Sequence, residues 1–302
     1  GPLPMTDAKE LGSSAHAKVS CAQCHVGAAP SRHRPCETVK KVDCSVCHND
    51  QVVQYRSSVH GALLQKGDAN APSCLECHGK HGILGKKNTR SASYPTNVPA
   101  LCARCHREGE KAAARYQGKE HEITKRYTES VHGKGLLKSG LTVTAMCTSC
   151  HTAHGELPAS DPRSTVHKDN IPDTCAQCHH GVYEKFAQSV HGLNKGPRAP
   201  GKRAPPNCND CHTAHSVRRT DQGGFKLEVM SRCGRCHEKV AKTYFETYHG
   251  KVSQLGYAKT AKCHDCHGAH DIFPVNDPRS HLSRQNIVET CRNCHPDATR
   301  RF

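Results

Sequence analysis

Twenty of the twenty-one cysteines in this chain of 302 residues fall into ten Cys-x-x-Cys-His units. The cysteine pairs are Cys21 and Cys24, Cys44 and Cys47, Cys74 and Cys77, Cys102 and Cys105, Cys147 and Cys150, Cys175 and Cys178, Cys208 and Cys211, Cys233 and Cys236, Cys263 and Cys266, and Cys291 and Cys294. The histidines that close them are His25, His48, His78, His106, His151, His179, His212, His237, His267 and His295. Only Cys36 stands outside this pattern.

Such a unit is the attachment signature of haem c: two thiols add to the two vinyl groups of one porphyrin, and the adjacent histidine becomes the proximal iron ligand. Structural zinc also uses paired cysteines, and an oxidising compartment favours disulfides. Neither accounts for a histidine directly after the second cysteine in all ten units. The expected cofactors are therefore ten covalently attached haems, each with its iron.

That cofactor load changes what the composition means. There are about thirty residues per haem, no Trp and five Phe, and the mean hydropathy is −0.72, too little apolar material for an ordinary core. The porphyrins must supply the buried surface, as structural metals do in small domains. The expected fold is mainly irregular with short α-helices and little or no β, wrapped around a chain of haems. The formal charge of +16 would otherwise suggest a nucleic-acid or anionic partner, but ten haems bring about twenty propionates and about ten ferric charges, leaving roughly +6 oxidised and −4 reduced. The basic residues read as propionate partners, so no nucleic-acid role is expected, and no apolar run is long enough to span a membrane.

The remaining histidines repeat against the motifs. His60, His132, His191 and His249 each follow a Ser-Val or Thr-Tyr pair and precede a glycine. His81, His154, His215 and His270 each stand three residues beyond a proximal histidine. Four units of two haems result, beginning at Cys44, Cys102, Cys175 and Cys233, and Asp-Pro-Arg-Ser closes the second and fourth. The expected segments are 1–43 with one haem, 44–174 with four, 175–290 with four and 291–302 with one. Residues around Gly133-Lys134-Gly135, Gly196-Pro197 and Ala204-Pro205-Pro206 are expected to break the chain, and 181–188 and 238–245 to form helices.

Three residues of helix put His78 and His81 on one face, and twelve span about 18 Å, so neither kind of extra histidine reaches the iron of its own motif. The simplest expectation is exchange within each unit. His60 serves the iron of His78 and His81 that of His48; His154 serves His106 and His132 serves His151; His215 serves His179 and His191 serves His212; His270 serves His237 and His249 serves His267. His16, in Ser13-Ser14-Ala15-His16, is expected to cap the His25 haem. The His295 haem is left to His33, His121, His167 or His281, or to none of them. His33 of a neighbouring copy is one route, through a head-to-tail contact that need not close.

The doubled Cys-x-x-Cys-His motifs and the Ser-Val-His-Gly element make the chain, over residues 13 to 295, similar to the multihaem c-type cytochromes of metal- and sulfur-respiring bacteria. This resemblance implies low-potential bis-histidine haems packed as a wire, redox-protein partners and attachment of haem outside the cytoplasmic membrane. The expected protein is an exported one of the periplasm, outer membrane or cell exterior, lacking its signal peptide here, that conducts electrons in anaerobic respiration. Decahaem conduits threaded through a porin share the motif count, but no residue here calls for a porin. Two imidazoles per iron leave no place for a substrate, so an electron carrier is expected rather than an enzyme. The alternatives are a head-to-tail extracellular filament, or a reductase of small nitrogen or sulfur oxyanions acting at an open His295 haem. Cys36 is open between a buried free thiol and an intermolecular disulfide or lipid attachment.

Overall fold

The computed structural model describes residues 7–26, 42–118, 120–193 and 204–301. His33, Cys36 and the break expected at Gly196-Pro197 lie outside them. The described residues form short α-helices joined by turns, with one 3-10 segment and no strand; the longest helix, Ser45–Ser57, has 13 residues. The chain divides into two compact units, Gly1–Thr165 and Val166–Phe302.

Among the described residues the polypeptide alone has almost no core: the buried apolar side chains there are Val98, Leu136, Phe225, Met230 and Ala298. Its accessible surface is 21177 Å², whereas a folded chain of 33.0 kDa should expose about 12,500 Å².

Two local rules place the histidines. The second motif of each unit is a five-residue helix, Cys74–His78, Cys147–His151, Cys208–His212 and Cys263–His267. Its start is fixed by the residue between the cysteines: Glu76, Ser149, Asp210 and Asp265 reach back to accept from the backbone N–H of Ser73, Met146, Asn207 and Lys262 at 2.6, 3.1, 2.8 and 2.7 Å, a capping-box contact. Its end is fixed by a left-handed residue, Gly79, Thr152, Thr213 or Gly268, at φ of +80, +67, +65 and +82°. Glycine takes that conformation freely; the two threonines hold it against steric cost. The chain reverses there, so His81 lies beyond the helix rather than one turn along it.

The proximal histidines of the first motifs act as kinks instead. His48, His179 and His237 sit at φ/ψ of −118/44, −106/44 and −103/47°, and a new helix leaves each. The helices expected at 181–188 and 238–245 are His180–Gln188 and Glu238–Glu246. The break expected at Gly133-Lys134-Gly135 is instead part of a helix, Val131–Leu137. Its first turn is capped by Ser130, and that outweighs two glycines.

Candidate functional site: paired histidines

The helix that leads to each of His60, His132, His191 and His249 is followed by a hydroxyl residue, and the distal histidine comes two positions later. Ser58, Ser130, Ser189 and Thr247 donate to the carbonyls of Tyr55, Tyr127, Phe186 and Tyr244 at 2.7, 2.6, 2.7 and 2.7 Å. The same oxygens accept from the N–H of Gly61, Gly133, Gly192 and Gly250 at 3.1, 3.0, 3.3 and 3.2 Å. The hydroxyl is thus a hinge pin between the incoming helix and the turn that carries His60, His132, His191 or His249.

Among the described residues seven pairs of histidine rings face one another within a compact unit. In the first they are His16 with His48, His25 with His81, His60 with His106 and His78 with His154, at 6.0, 6.1, 6.1 and 6.1 Å between centroids. In the second they are His191 with His237, His212 with His270 and His249 with His295, at 6.2, 5.9 and 6.0 Å. Two metal–imidazole bonds of about 2 Å plus two half-rings come to about 6 Å. The spacing therefore fits one iron, with its porphyrin plane, between each pair. Among the described residues no group of three or more His, Cys, Asp or Glu side chains is arranged to hold a bare metal ion. Burial holds His78, His106, His191, His212, His267 and His270 below the usual imidazole range, which favours the neutral form that ligates.

These pairs correct the expected exchange. His16 faces His48, not His25, and His81 faces His25, not His48. His60 faces His106 rather than His78, and His154 faces His78 rather than His106. In the second unit His191 faces His237, His270 faces His212, and His249 faces His295 rather than His267. The exchange runs between the second motif of one repeat and the first motif of the next.

Two contacts explain the offset. Within a repeat the leading cysteines of the two motifs meet, as Cys44 with Cys74, Cys102 with Cys147, Cys175 with Cys208 and Cys233 with Cys263, so the two attachment edges stand side by side. Between repeats the distal elements are tied by one backbone hydrogen bond, from Ala15 N to Ile83 O, Val59 N to Glu156 O and Val190 N to Ile272 O at 2.7, 2.8 and 2.9 Å. That bond places His16 beside His81, His60 beside His154 and His191 beside His270.

His295 thus has a facing ring from its own chain, that of His249, while His33 lies outside the described residues. His121 packs against Tyr116 at 5.9 Å, His167 lies 3.7 Å from Asp169 and His281 lies 3.7 Å from Asp271. His267 is a proximal histidine for which no facing histidine ring stands among the described residues. Sequence reasoning also missed the tyrosines. The hydroxyls of Tyr55, Tyr127 and Tyr244 donate to the carbonyls of Pro72, Ala145 and Ala261 at 2.6, 2.9 and 2.7 Å, in each case two residues ahead of the next motif. The signal was an aromatic residue three positions before each hinge hydroxyl.

Helical motif segments, facing imidazoles and the scarcity of buried apolar side chains among the described residues mark a protein built around covalent haem: the chain is a multihaem c-type cytochrome with doubled Cys-x-x-Cys-His motifs. Residues 60–111 match the family described as Doubled CXXCH motif. That segment contains the motifs at Cys74 and Cys102, the same two whose distal elements the Val59 to Glu156 bond joins. The chain is also 26% identical over 208 residues to the multiheme cytochrome MtrA of Shewanella baltica (strain OS185), across 64% of this chain and 51% of that protein. It spans about half the length of that curated relative. No helix among the described residues is long and apolar enough to cross a membrane.

Proposed function

We propose that the chain carries ten haems, one per motif, and conducts electrons along them as an exported component of anaerobic respiration. The haem irons supply the change of valence; the polypeptide sets their order, spacing and axial ligands. The proximal ligands are the ten motif histidines. The distal ligands include His16, His60, His81, His154, His191, His249 and His270, with His132 and His215 in the same roles by repeat. The observation that carries this reading is the spacing of 5.9 to 6.2 Å between facing rings: two imidazoles so placed would hold one haem iron between them, and would leave it redox chemistry without a place for substrate. Attachment of haem outside the cytoplasmic membrane, which the family resemblance implies, supports an extracytoplasmic site, and the similarity to a multiheme cytochrome supports redox-protein partners.

The test is intact mass and redox titration of holoprotein made with a cytochrome c maturation system. Ten haem masses above the 33.0 kDa polypeptide, a sharp reduced α-band and reversible reduction of the full haem content are expected. A mass matching bare polypeptide overturns the proposal.

His267 favours a second reading at one position. With no histidine ring facing it among the described residues, the haem of Cys263 and Cys266 is the one where a reductase of small nitrogen or sulfur oxyanions would act, in place of the His295 haem. A single high-spin ferric component in electron paramagnetic resonance, lost when Cys263 and Cys266 are both replaced by serine, is the expected signature of that reading.

A further inference from the structure

The three tyrosines do more than fill space. Each stands on the helix that leads to a distal histidine, and its hydroxyl bonds the backbone leading into the following motif. Tyr55 joins the helix kinked at His48, the distal ligand His60 and the attachment segment at Cys74; Tyr244 does the same for His237, His249 and Cys263. One hydroxyl therefore references three haems to one another. Burial pushes the Tyr55 phenol up to about 12 and raises those of Tyr127 and Tyr244, so all three remain donors at physiological pH.

The third repeat breaks the pattern in two independent ways. Phe186 occupies the tyrosine position, so the carbonyl of Pro206, two residues ahead of Cys208, receives no such hydroxyl. The distal histidine also begins no helix: Val59–Gln65, Val131–Leu137 and Tyr248–Gln254 are helical, whereas residues 190–193 form a turn. There the Ser189 hydroxyl is shared between the N–H of His191 at 3.2 Å and that of Gly192 at 3.3 Å.

We propose that Tyr55, Tyr127 and Tyr244 are positioning residues for the distal imidazoles of His60, His132 and His249, and that Phe186 leaves His191 the least restrained of these ligands. This rests on the bis-histidine reading. The haem held between His237 and His191 is then the one at which a small strong-field ligand of the cyanide class replaces a histidine fastest.

The experiment follows cyanide replacement spectrally in ferric holoprotein, wild type and variants, alongside haem content and electron paramagnetic resonance. Phe186→Tyr should slow one kinetic phase by roughly fivefold, the equivalent of one net hydrogen bond. Tyr55→Phe, Tyr127→Phe and Tyr244→Phe should each speed one phase by a similar factor and broaden one low-spin signal. Any phase belonging to the His267 haem should be indifferent to Phe186→Tyr, Tyr55→Phe and Tyr127→Phe. Unchanged kinetics and signals at full haem content overturn the proposal. Because Phe186→Tyr adds a group, it decides even where a Tyr→Phe variant folds poorly. Absence of low-spin haem would instead remove the bis-histidine reading itself.

Discussion

Gly61 packs its Cα against the carbonyl of Tyr55, so that a Cβ there would stand 1.9 Å from that oxygen. Gly133, Gly192 and Gly250 stand in the same relation to Tyr127, Phe186 and Tyr244, at 2.0, 2.1 and 2.1 Å. The glycine after His60, His132, His191 and His249 is therefore steric, not conformational: the turn carrying the imidazole must touch the end of the preceding helix. Gly61→Ala should push His60 away from His106 at a cost of about 1 to 3 kcal/mol or more. Its haem should remain attached while one iron turns high-spin, as read by electron paramagnetic resonance with haem quantitation.

The offset of the paired rings makes a sharper test. His81→Ala should turn one haem high-spin in the intact protein. It should add no high-spin iron once Cys21 and Cys24 are both serine, because the haem it serves is gone. His16→Ala in the same background should still do so, because its ring faces His48. Exchange within repeats, the order expected from sequence, predicts the reverse pattern.

The motifs, the four repeats and the two families of extra histidine were legible from residue order alone, because thioether chemistry fixes Cys-x-x-Cys-His and a repeat shows itself in one dimension. The partner of each histidine was not. That depends on the reversal after His78, where Gly79 adopts a positive φ, and on the meeting of Cys44 with Cys74, which no local spacing encodes. Other signals were present but unread. Asn88-Thr89-Arg90-Ser91 repeats the Asp-Pro-Arg-Ser turn with asparagine for aspartate: Arg90 N donates to Asn88 Oδ1 at 2.9 Å as Arg163 N does to Asp161 Oδ1 at 2.9 Å, and Ser91 caps the Leu84 carbonyl at 3.0 Å as Ser164 caps that of Leu157 at 3.1 Å.

Acid should act through the buried imidazoles. Burial lowers His78, His106, His191, His212 and His270 from the ordinary 6.5, so in the unfolded chain these groups take up protons that the folded chain refuses. Their stabilising contribution is complete above about pH 6.5 and is lost as pH falls through the depressed folded values. Circular dichroism and the low-spin haem spectrum should be level from pH 7 to 8. Both should decline together below pH 6, and a decline starting above pH 7 would contradict the assignment.

Removal of the haems tests what holds the chain together. The polypeptide exposes 21177 Å², far above the roughly 12,500 Å² of a self-contained fold of its mass, and its buried apolar residues are few. Apolar burial is the main force opposing chain entropy, so the chain stripped of porphyrin has too little of it to stay compact. A variant with serine at both cysteines of every motif should lose most helical circular dichroism. Its radius of gyration by small-angle scattering should move toward the ~60 Å of an unfolded chain of this length, from the ~20 Å scale of a compact one. A compact, helical chain without haem would mean that some other buried surface holds the fold, and the reading of the open interior as porphyrin space would fail with it.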